Sequence, residues 1–143
     1  MSLVALSLVM QAALVGANVP TYESAFQEAQ ASGKPLVVLV GADWCPACQS
    51  MKQSVLPSMR RQGKLDGVAF AVVNTDRDSA IARQLMRGGS IPQLVVFSKS
   101  NSGWKRMQLT GAQSESQVEA VIRQAKELQA EGATASTPVS TVR

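Results

Sequence analysis

The chain has 143 residues, the length of one domain, and its 45% hydrophobic and 17% charged residues argue against a disordered chain. It has no histidine, which excludes Ser-His-Asp and Cys-His catalysis, and its two cysteines are too few for a four-thiolate zinc site or iron–sulfur cluster in one chain. The net charge is +4, but the basic residues are mostly scattered, so we expect no nucleic-acid partner.

The N-terminal segment is apolar and uncharged over residues 3–17. It is shorter than the about 20 residues that a membrane span needs, and it resembles the hydrophobic region of a secretory signal, with Val15–Ala17 as a small-residue cleavage site. No Lys or Arg precedes it, so a first strand or helix of the domain is the alternative. Residues 1–18 are therefore predicted to be a signal-peptide remnant or an extra N-terminal element. Export would place the protein in the periplasm or another extracytoplasmic space; otherwise we expect it in the cytoplasm, with membrane contact only if this segment is an anchor.

Caps and helix breakers delimit the elements of the first half of the chain. Thr21 is a good N-cap, Gly33 ends a helix, and Pro57 interrupts the helix that follows the cysteines. The run from Leu36 to Val40 is continuously aliphatic, which is typical of a strand covered on both faces. The predicted elements are a helix over 22–32, a strand over 36–40, and a helix from Cys45–Pro46 to about Val55 or Leu56.

A second buried strand is predicted over residues 68–73. Asp76 or Asp78 is expected to cap the short helix that follows, and Gly88–Gly89 to close it. A strand over 93–97 and its partner over 104–109 are joined by turn residues and predict a hairpin.

The last helix has the clearest pattern. Ser114 and Gln117 form a capping box at its start. An apolar stripe follows at helical spacing, made of Val118, Val121, Ile122, Ala125 and Leu128. Residues 131–143 have no periodicity and predict a flexible C-terminal tail, which leaves 19–130 as the folded domain. The order of elements predicts an α/β fold with a mixed central sheet and helices on both faces.

The chemistry of the chain is concentrated in the Cys45-Pro46-Ala47-Cys48 segment. The turn after a strand should present Cys45 at the start of a helix, where free backbone N–H groups favour the thiolate that attacks disulfides. Pro46 suits the first helical position. We predict Cys45 as the nucleophile and Cys48 as the more buried resolving thiol. A purely structural disulfide and a metal half-site completed by a second chain are the alternatives.

The string Ala42-Asp43-Trp44-Cys45-Pro46-Ala47-Cys48 resembles the active site of the thioredoxin superfamily. Ile91–Pro92 before a strand is similar to the family's cis-proline loop, and Asn74–Asp76 and Thr110–Ala112 also fall where the family has similar residues. The lead-in Gly33-Lys34-Pro35 and the Ala-Asp-Trp-Cys string resemble one branch most. That branch contains the C-terminal domain of the bacterial transmembrane thiol:disulfide interchange reductase.

This resemblance implies a thioredoxin-like fold and a set of site residues. Cys45 and Cys48 would be the redox pair, and Pro92, in cis, would sit against their disulfide. Ile91 would offer its backbone to a substrate strand. The other residues expected to bind substrate are Trp44, Pro46, Ala47, Gly111 and Ala112.

The chain departs from the family pattern at one buried position. Many thioredoxins have a carboxylate in the strand six residues before the first cysteine, often paired with a lysine. Here those two positions are Leu39 and Val72. The departure puts a fast proton relay in doubt but leaves the exchange chemistry possible.

The predicted function is a thiol:disulfide oxidoreductase, acting as a reductase or in interchange. Its partners would be protein disulfide or dithiol substrates and an unidentified redox protein. The alternative is a thioredoxin-like binding or assembly module whose cysteines are secondary. No nucleotide, flavin or metal motif is present in the sequence, so we expect no cofactor and no metal site.

Overall fold

The computed structural model of the chain describes residues 20–134. The N-terminal element predicted over 1–18 lies outside this range. The elements are α1 (Tyr22–Ser32), β1 (Leu36–Gly41), α2 (Pro46–Ser50), a π-helical turn (Met51–Val55), α3 (Leu56–Arg61), β2 (Ala69–Asn74), α4 (Ser79–Leu85), β3 (Gln93–Ser100), β4 (Gly103–Thr110) and α5 (Glu115–Thr134).

The four strands form one mixed sheet in the order β2–β1–β3–β4. β1 runs parallel to β2, while β1 with β3 and β3 with β4 are antiparallel. One face packs against the π-helical turn, α3 and α5, and the other against α1 and α4. All six residues of β1 are buried because helices cover both of its faces. The predicted fold class is thus confirmed.

The helix after the cysteines does not end at Pro57, which corrects the sequence-based prediction. In a regular α-helix the proline ring would clash with the carbonyl four residues earlier. Here the preceding turn widens to a π-helix, and the Leu56 N–H donates to the carbonyl of Met51. Pro57 therefore falls in the first turn of α3, a position that tolerates proline, and the chain stays helical to Arg61.

The short helix α4 ends earlier than Gly88–Gly89, and its cap differs from the expected one. Asp78 lies at the N-cap, but its side chain accepts from the Asn74 N–H at 3.0 Å rather than from α4. The helix stops at Leu85, and Met86 is extended. The Arg106 guanidinium donates to the carbonyl of Leu85, so a side chain of β4 satisfies this helix end without a glycine cap.

The last helix begins as predicted. The Ser114 N–H donates to Gln117 Oε1 at 2.8 Å and the Gln117 N–H donates to Ser114 Oγ at 3.3 Å, which completes the capping box. Four residues of the predicted stripe are buried, and Leu128 is partly buried.

The C-terminal end of α5 passes very close to the β3–β4 turn. A Cβ added at Gly132 would lie 2.9 Å from the carbonyl carbon of Ser100 and 3.2 Å from the Asn101 nitrogen. Residues 131–134 form the last turn of α5, whereas the sequence pattern placed them in a loose tail. The rest of the predicted tail lies outside the described residues, and the domain division stays a prediction.

Candidate active site

The two cysteines lie where β1 gives way to the first helix after it. Gly41 ends β1, a turn contains Asp43 and Trp44, and Cys45 is the N-cap of α2. Pro46 is in the first helical turn. The Cys48 N–H donates to Cys45 Sγ at 3.2 Å, so one of the free N–H groups at the helix start is directed at this sulfur.

Cys45 and Cys48 are joined in a disulfide, with their Cα atoms 5.2 Å apart. Cys45 is 6% exposed and Cys48 3% exposed. The residue at the helix start is therefore the more accessible of the two, although both are largely covered.

Gly41 makes room for Cys48. A Cβ added at position 41 would lie 2.9 Å from both Cβ and Sγ of Cys48. Real Cβ atoms do not approach other heavy atoms this closely, so a residue with a side chain would displace the cysteine. The last residue of β1 thus lets the second sulfur pack directly against the strand backbone.

The loop that precedes β3 also contacts the buried cluster that contains the disulfide. Ile91 and Ala47 pack against the buried cluster of Ala42, Cys45 and Cys48. The Ile91–Pro92 peptide bond is cis, the conformation that the family resemblance implies.

A third loop joins this one. The Gly111 N–H donates to the carbonyl of Pro92 at 2.8 Å. Four of the predicted substrate-binding residues thus pack against the cysteine pair or belong to the loops joined beside it: Ala47, Ile91, Pro92 and Gly111. Ala112 and Pro46 are exposed, and no contact links Ala112 to the cysteines among the described interactions.

Trp44 stands beside the cysteine pair and is 70% exposed, so it is not a core residue. Its indole Nε1–H donates to Asp76 Oδ2 at 3.0 Å. Asn74 Oδ1 in turn accepts from the Asp76 and Arg77 N–H groups at 2.9 and 3.2 Å. The loop between β2 and α4 therefore holds the exposed ring.

A second contact links the same two loops. The Arg77 guanidinium donates to Asp43 Oδ2 at 2.7 Å, and this hydrogen bond holds the pKa of the Asp43 carboxyl below its usual value. Asp43 is exposed and forms an ion pair with this arginine. The sequence suggested Asp76 only as a helix cap and gave Arg77 no role, because only the fold brings these two residues next to Asp43 and Trp44.

A cavity of about 330 Å³ opens beside Cys48. Its walls include Leu39, which is buried, and Val72, which pairs with Leu39 across the sheet. Its charged lining residues are Glu23, Asp43, Lys52, Arg77 and Asp78. Leu39 thus puts an apolar side chain where the family has its buried carboxylate. The charged side chains of the cavity come from its other lining residues.

The structure also contains a buried polar residue that the sequence analysis treated only as the start of a strand. Gln93 follows Pro92 directly and has no exposed surface. The sequence feature that could have identified it is the single amide side chain directly before the aliphatic run Leu94–Phe97.

Within residues 20–134, no three Cys, Asp or Glu side chains gather as a metal site. No helix in that same range is both long enough and apolar enough to cross a membrane.

Comparison with known proteins places this geometry in context. The family model described as thioredoxin-like matches residues 17–99. A curated relative, the thiol:disulfide interchange protein DsbD of Cronobacter sakazakii, is 30% identical over 87 residues. That match covers 58% of this chain but only 15% of the relative, so the chain corresponds to a small part of that protein.

Solved structures agree in fold. A thioredoxin from Thermus thermophilus superposes with a TM-score of 0.61 at 23% identity, covering 86% of this chain and 95% of the other. Trxlp from Edwardsiella tarda has a TM-score of 0.56 at 29% identity, covering 72% and 95%. The thioredoxin of Trichomonas vaginalis has a TM-score of 0.54 at 28% identity, covering 75% and 93%.

Proposed function

The chain belongs to the thioredoxin-like family, and from this premise we propose that it is a thiol:disulfide oxidoreductase acting on protein disulfides. The observation that carries the proposal is the placement of the Cys45–Cys48 pair at a helix start, with Ile91 packed against it. A purely structural role explains this placement poorly, because a disulfide across so short a loop removes little entropy from the unfolded chain.

The reaction uses both sulfurs in turn. In the dithiol form, the Cys45 thiolate attacks a substrate disulfide, forms a mixed disulfide and releases one substrate thiolate. The Cys48 thiolate then attacks Cys45 Sγ, which releases the second substrate thiol and leaves the Cys45–Cys48 disulfide. Two electrons pass to the substrate, and a dithiol donor, which we take to be another redox protein, restores the pair. The same steps in reverse oxidise a substrate dithiol.

The proton that Cys48 gives up needs an acceptor. Leu39 cannot supply one, because its side chain is apolar. The cavity beside Cys48 gives this proton a path to solvent in place of a buried carboxylate. On this proposal, the rate of proton transfer from Cys48 depends on the solvent more strongly than it does in thioredoxins that have the buried carboxylate.

Reduction of insulin disulfides by dithiothreitol tests the proposal. We expect the protein to accelerate the reaction, and Cys45→Ser to fall to the rate of dithiothreitol alone, because the attacking sulfur is gone. Cys48→Ser should instead accumulate a mixed disulfide between Cys45 and insulin on a non-reducing gel. Ser50→Ala, an exposed change on α2, is the control and should match the wild type. Equal rates for wild type and Cys45→Ser would refute the proposal.

A binding or assembly module is the second candidate, and one observation favours it. Trp44 presents a large apolar surface next to the cysteines, which suits docking of a partner whether or not electrons are exchanged. A Cys45→Ser protein that keeps its full biological activity would support this module and exclude the enzyme.

Export is proposed on the apolar segment over residues 3–17, with the periplasm or another extracytoplasmic space as the destination. Cell fractionation of the full chain tests it. Recovery of an uncleaved protein with the cytoplasmic fraction would contradict export and favour the segment as an element of the domain.

A further inference from the structure

Gln93 is a polar side chain in an apolar setting. It is the first residue of β3, it follows Pro92 directly, and it pairs with Val40 on one side and Thr110 on the other. Its exposed fraction is 0%. Burying an amide costs free energy unless hydrogen bonds replace those to water, so the partners of Gln93 define its role.

All the hydrogen-bonding capacity of this amide is used. Its Nε2 donates to the carbonyls of Arg87 and Ser90 at 3.0 and 2.8 Å. Its Oε1 accepts from the Arg87 N–H at 3.1 Å and from Gln108 Nε2 at 2.9 Å. An amide side chain has two donor hydrogens and two acceptor lone pairs, and each has a partner here. Three of the four bonds go to the backbone between Arg87 and Ser90.

A second layer supports Gln93 from the edge strand. The Arg106 guanidinium donates to Gln108 Oε1 and to the carbonyl of Leu85. Gln108 therefore connects β4 to Gln93, and Arg106 connects it to the end of α4. The exposed segment Gly88–Gly89 is enclosed between these anchored points. Two adjacent glycines have high conformational entropy in the absence of such contacts.

We propose that Gln93 is a positioning residue that holds the Arg87–Ser90 backbone so that Ile91 presents a preformed edge to a substrate strand. This inference rests on the proposed function, since it concerns how that site binds a protein disulfide. Gln93 does not contact the cysteines among the described interactions, so it acts through the loop. A loop that is already ordered loses less conformational entropy when the substrate binds. Loss of this order is therefore expected to raise KM more than it lowers kcat.

Two variants test the role. Gln93→Met keeps the approximate volume and removes all four hydrogen bonds. Gln93→Glu keeps the oxygen acceptors and removes the two donors to the loop carbonyls. We expect amide hydrogen exchange over residues 87–91, where the Arg87 N–H donates to Gln93 Oε1, to become faster in both variants. The increase should be about tenfold in Gln93→Met, which removes this acceptor, and smaller in Gln93→Glu, which keeps it. Exchange in α5 should change less. If one variant fails to fold, the other gives the same measurement.

Steady-state insulin reduction then connects the loop to substrate binding. We expect KM to rise about tenfold in both variants with kcat within about twofold of the wild type. Gln27→Glu, the same chemical change on the exposed face of α1, should leave exchange and KM unchanged. Gly132→Ala, which lowers stability far from the loop, should also leave KM unchanged and separates global destabilisation from loop positioning.

The outcomes are distinguishable. Unchanged exchange over 87–91 in the Gln93 variants, or faster exchange with an unchanged KM, would overturn the inference while leaving the proposed function intact. A KM change equal to that of Gly132→Ala would overturn it as well. A wild-type protein that does not reduce insulin would refute the proposed function and, with it, the docking role of the loop.

Discussion

Gly41 is a single residue that determines how closely Cys48 of the redox pair can pack against β1. In the sequence it is only the end of an aliphatic strand, but in the fold its Cα faces Cβ and Sγ of Cys48. Cys48 is held on the other side by its disulfide and by α2, so it has little freedom to move away. The absence of a side chain at position 41 is therefore a condition for the sulfur geometry.

Gly41→Ala is expected to destabilise the oxidised protein by about 1–3 kcal/mol, because the added methyl overlaps Cys48. The free energy of unfolding of the oxidised form, measured in guanidinium chloride, checks this. The control is Gly89→Ala, where a Cβ meets nothing within 4 Å. Equal stability of the two variants would show that Cys48 can shift freely.

Trp44 and Asp43 illustrate how neighbouring loops set residue orientation. The indole is held by Asp76 and the carboxylate by Arg77, two adjacent residues of the β2–α4 loop. These contacts keep the exposed ring beside Cys45. They also pair the Asp43 carboxylate with Arg77.

At the scale of elements, the helical run from α2 through α3 has two features to explain: where it begins and how it continues through Pro57. Cys45 and Pro46 define its start, since one serves as the N-cap and the other lacks the N–H that a first-turn residue leaves unpaired. Pro57 should have stopped it, but the π-helical turn before that residue removes the clash. Met51 and Leu56 are both buried in the core between this helical run and the sheet.

The capping box of α5 is a separate local device with a measurable contribution. Ser114→Ala removes the oxygen that accepts from the Gln117 N–H, and we expect it to lower the free energy of unfolding by about 1 kcal/mol. Urea denaturation measures this change. Gln124→Ala, at an exposed position in the middle of α5, is the control and should cost little or nothing. A loss at Ser114 no larger than at Gln124 would mean that the box does not stabilise α5.

At the scale of the whole molecule, the site is an assembly of loops from distant parts of the chain. The turn after β1 and the loop before β3 meet at the disulfide, and the loop after β4 is hydrogen-bonded to the loop before β3, because the sheet order puts β1 next to β3 and β3 next to β4. Helices on both faces of the sheet bury every residue of β1.

The end of α5 against the β3–β4 turn belongs to the same scale, because it joins the last helix to the edge of the sheet. Gly132→Ala would place a methyl 2.9 Å from the Ser100 backbone, which has no flexible side-chain atom to yield. We expect a loss of about 1–3 kcal/mol in the free energy of unfolding, measured by denaturant titration. Glu131→Ala, exposed in the same turn, is the control. Indistinguishable stabilities would argue against tight packing at Gly132.

The amino-acid sequence determined the order of elements, the mixed sheet, the capping box and the position of the cysteine pair. These features depend on hydrophobic periodicity, caps and turn residues, which act over a few neighbouring residues. The family resemblance added the conformation expected at Pro92.

Tertiary structure alone decided the passage of the helix beyond Pro57, the close approaches at Gly41 and Gly132, and the full pairing of Gln93. Each depends on atoms that are distant in the chain or on the space left by packing. Gln93 and Gln108 are 15 residues apart, and Trp44 and Asp76 are 32 apart. No local pattern encodes such contacts, because they exist only once the sheet has brought the strands and loops together.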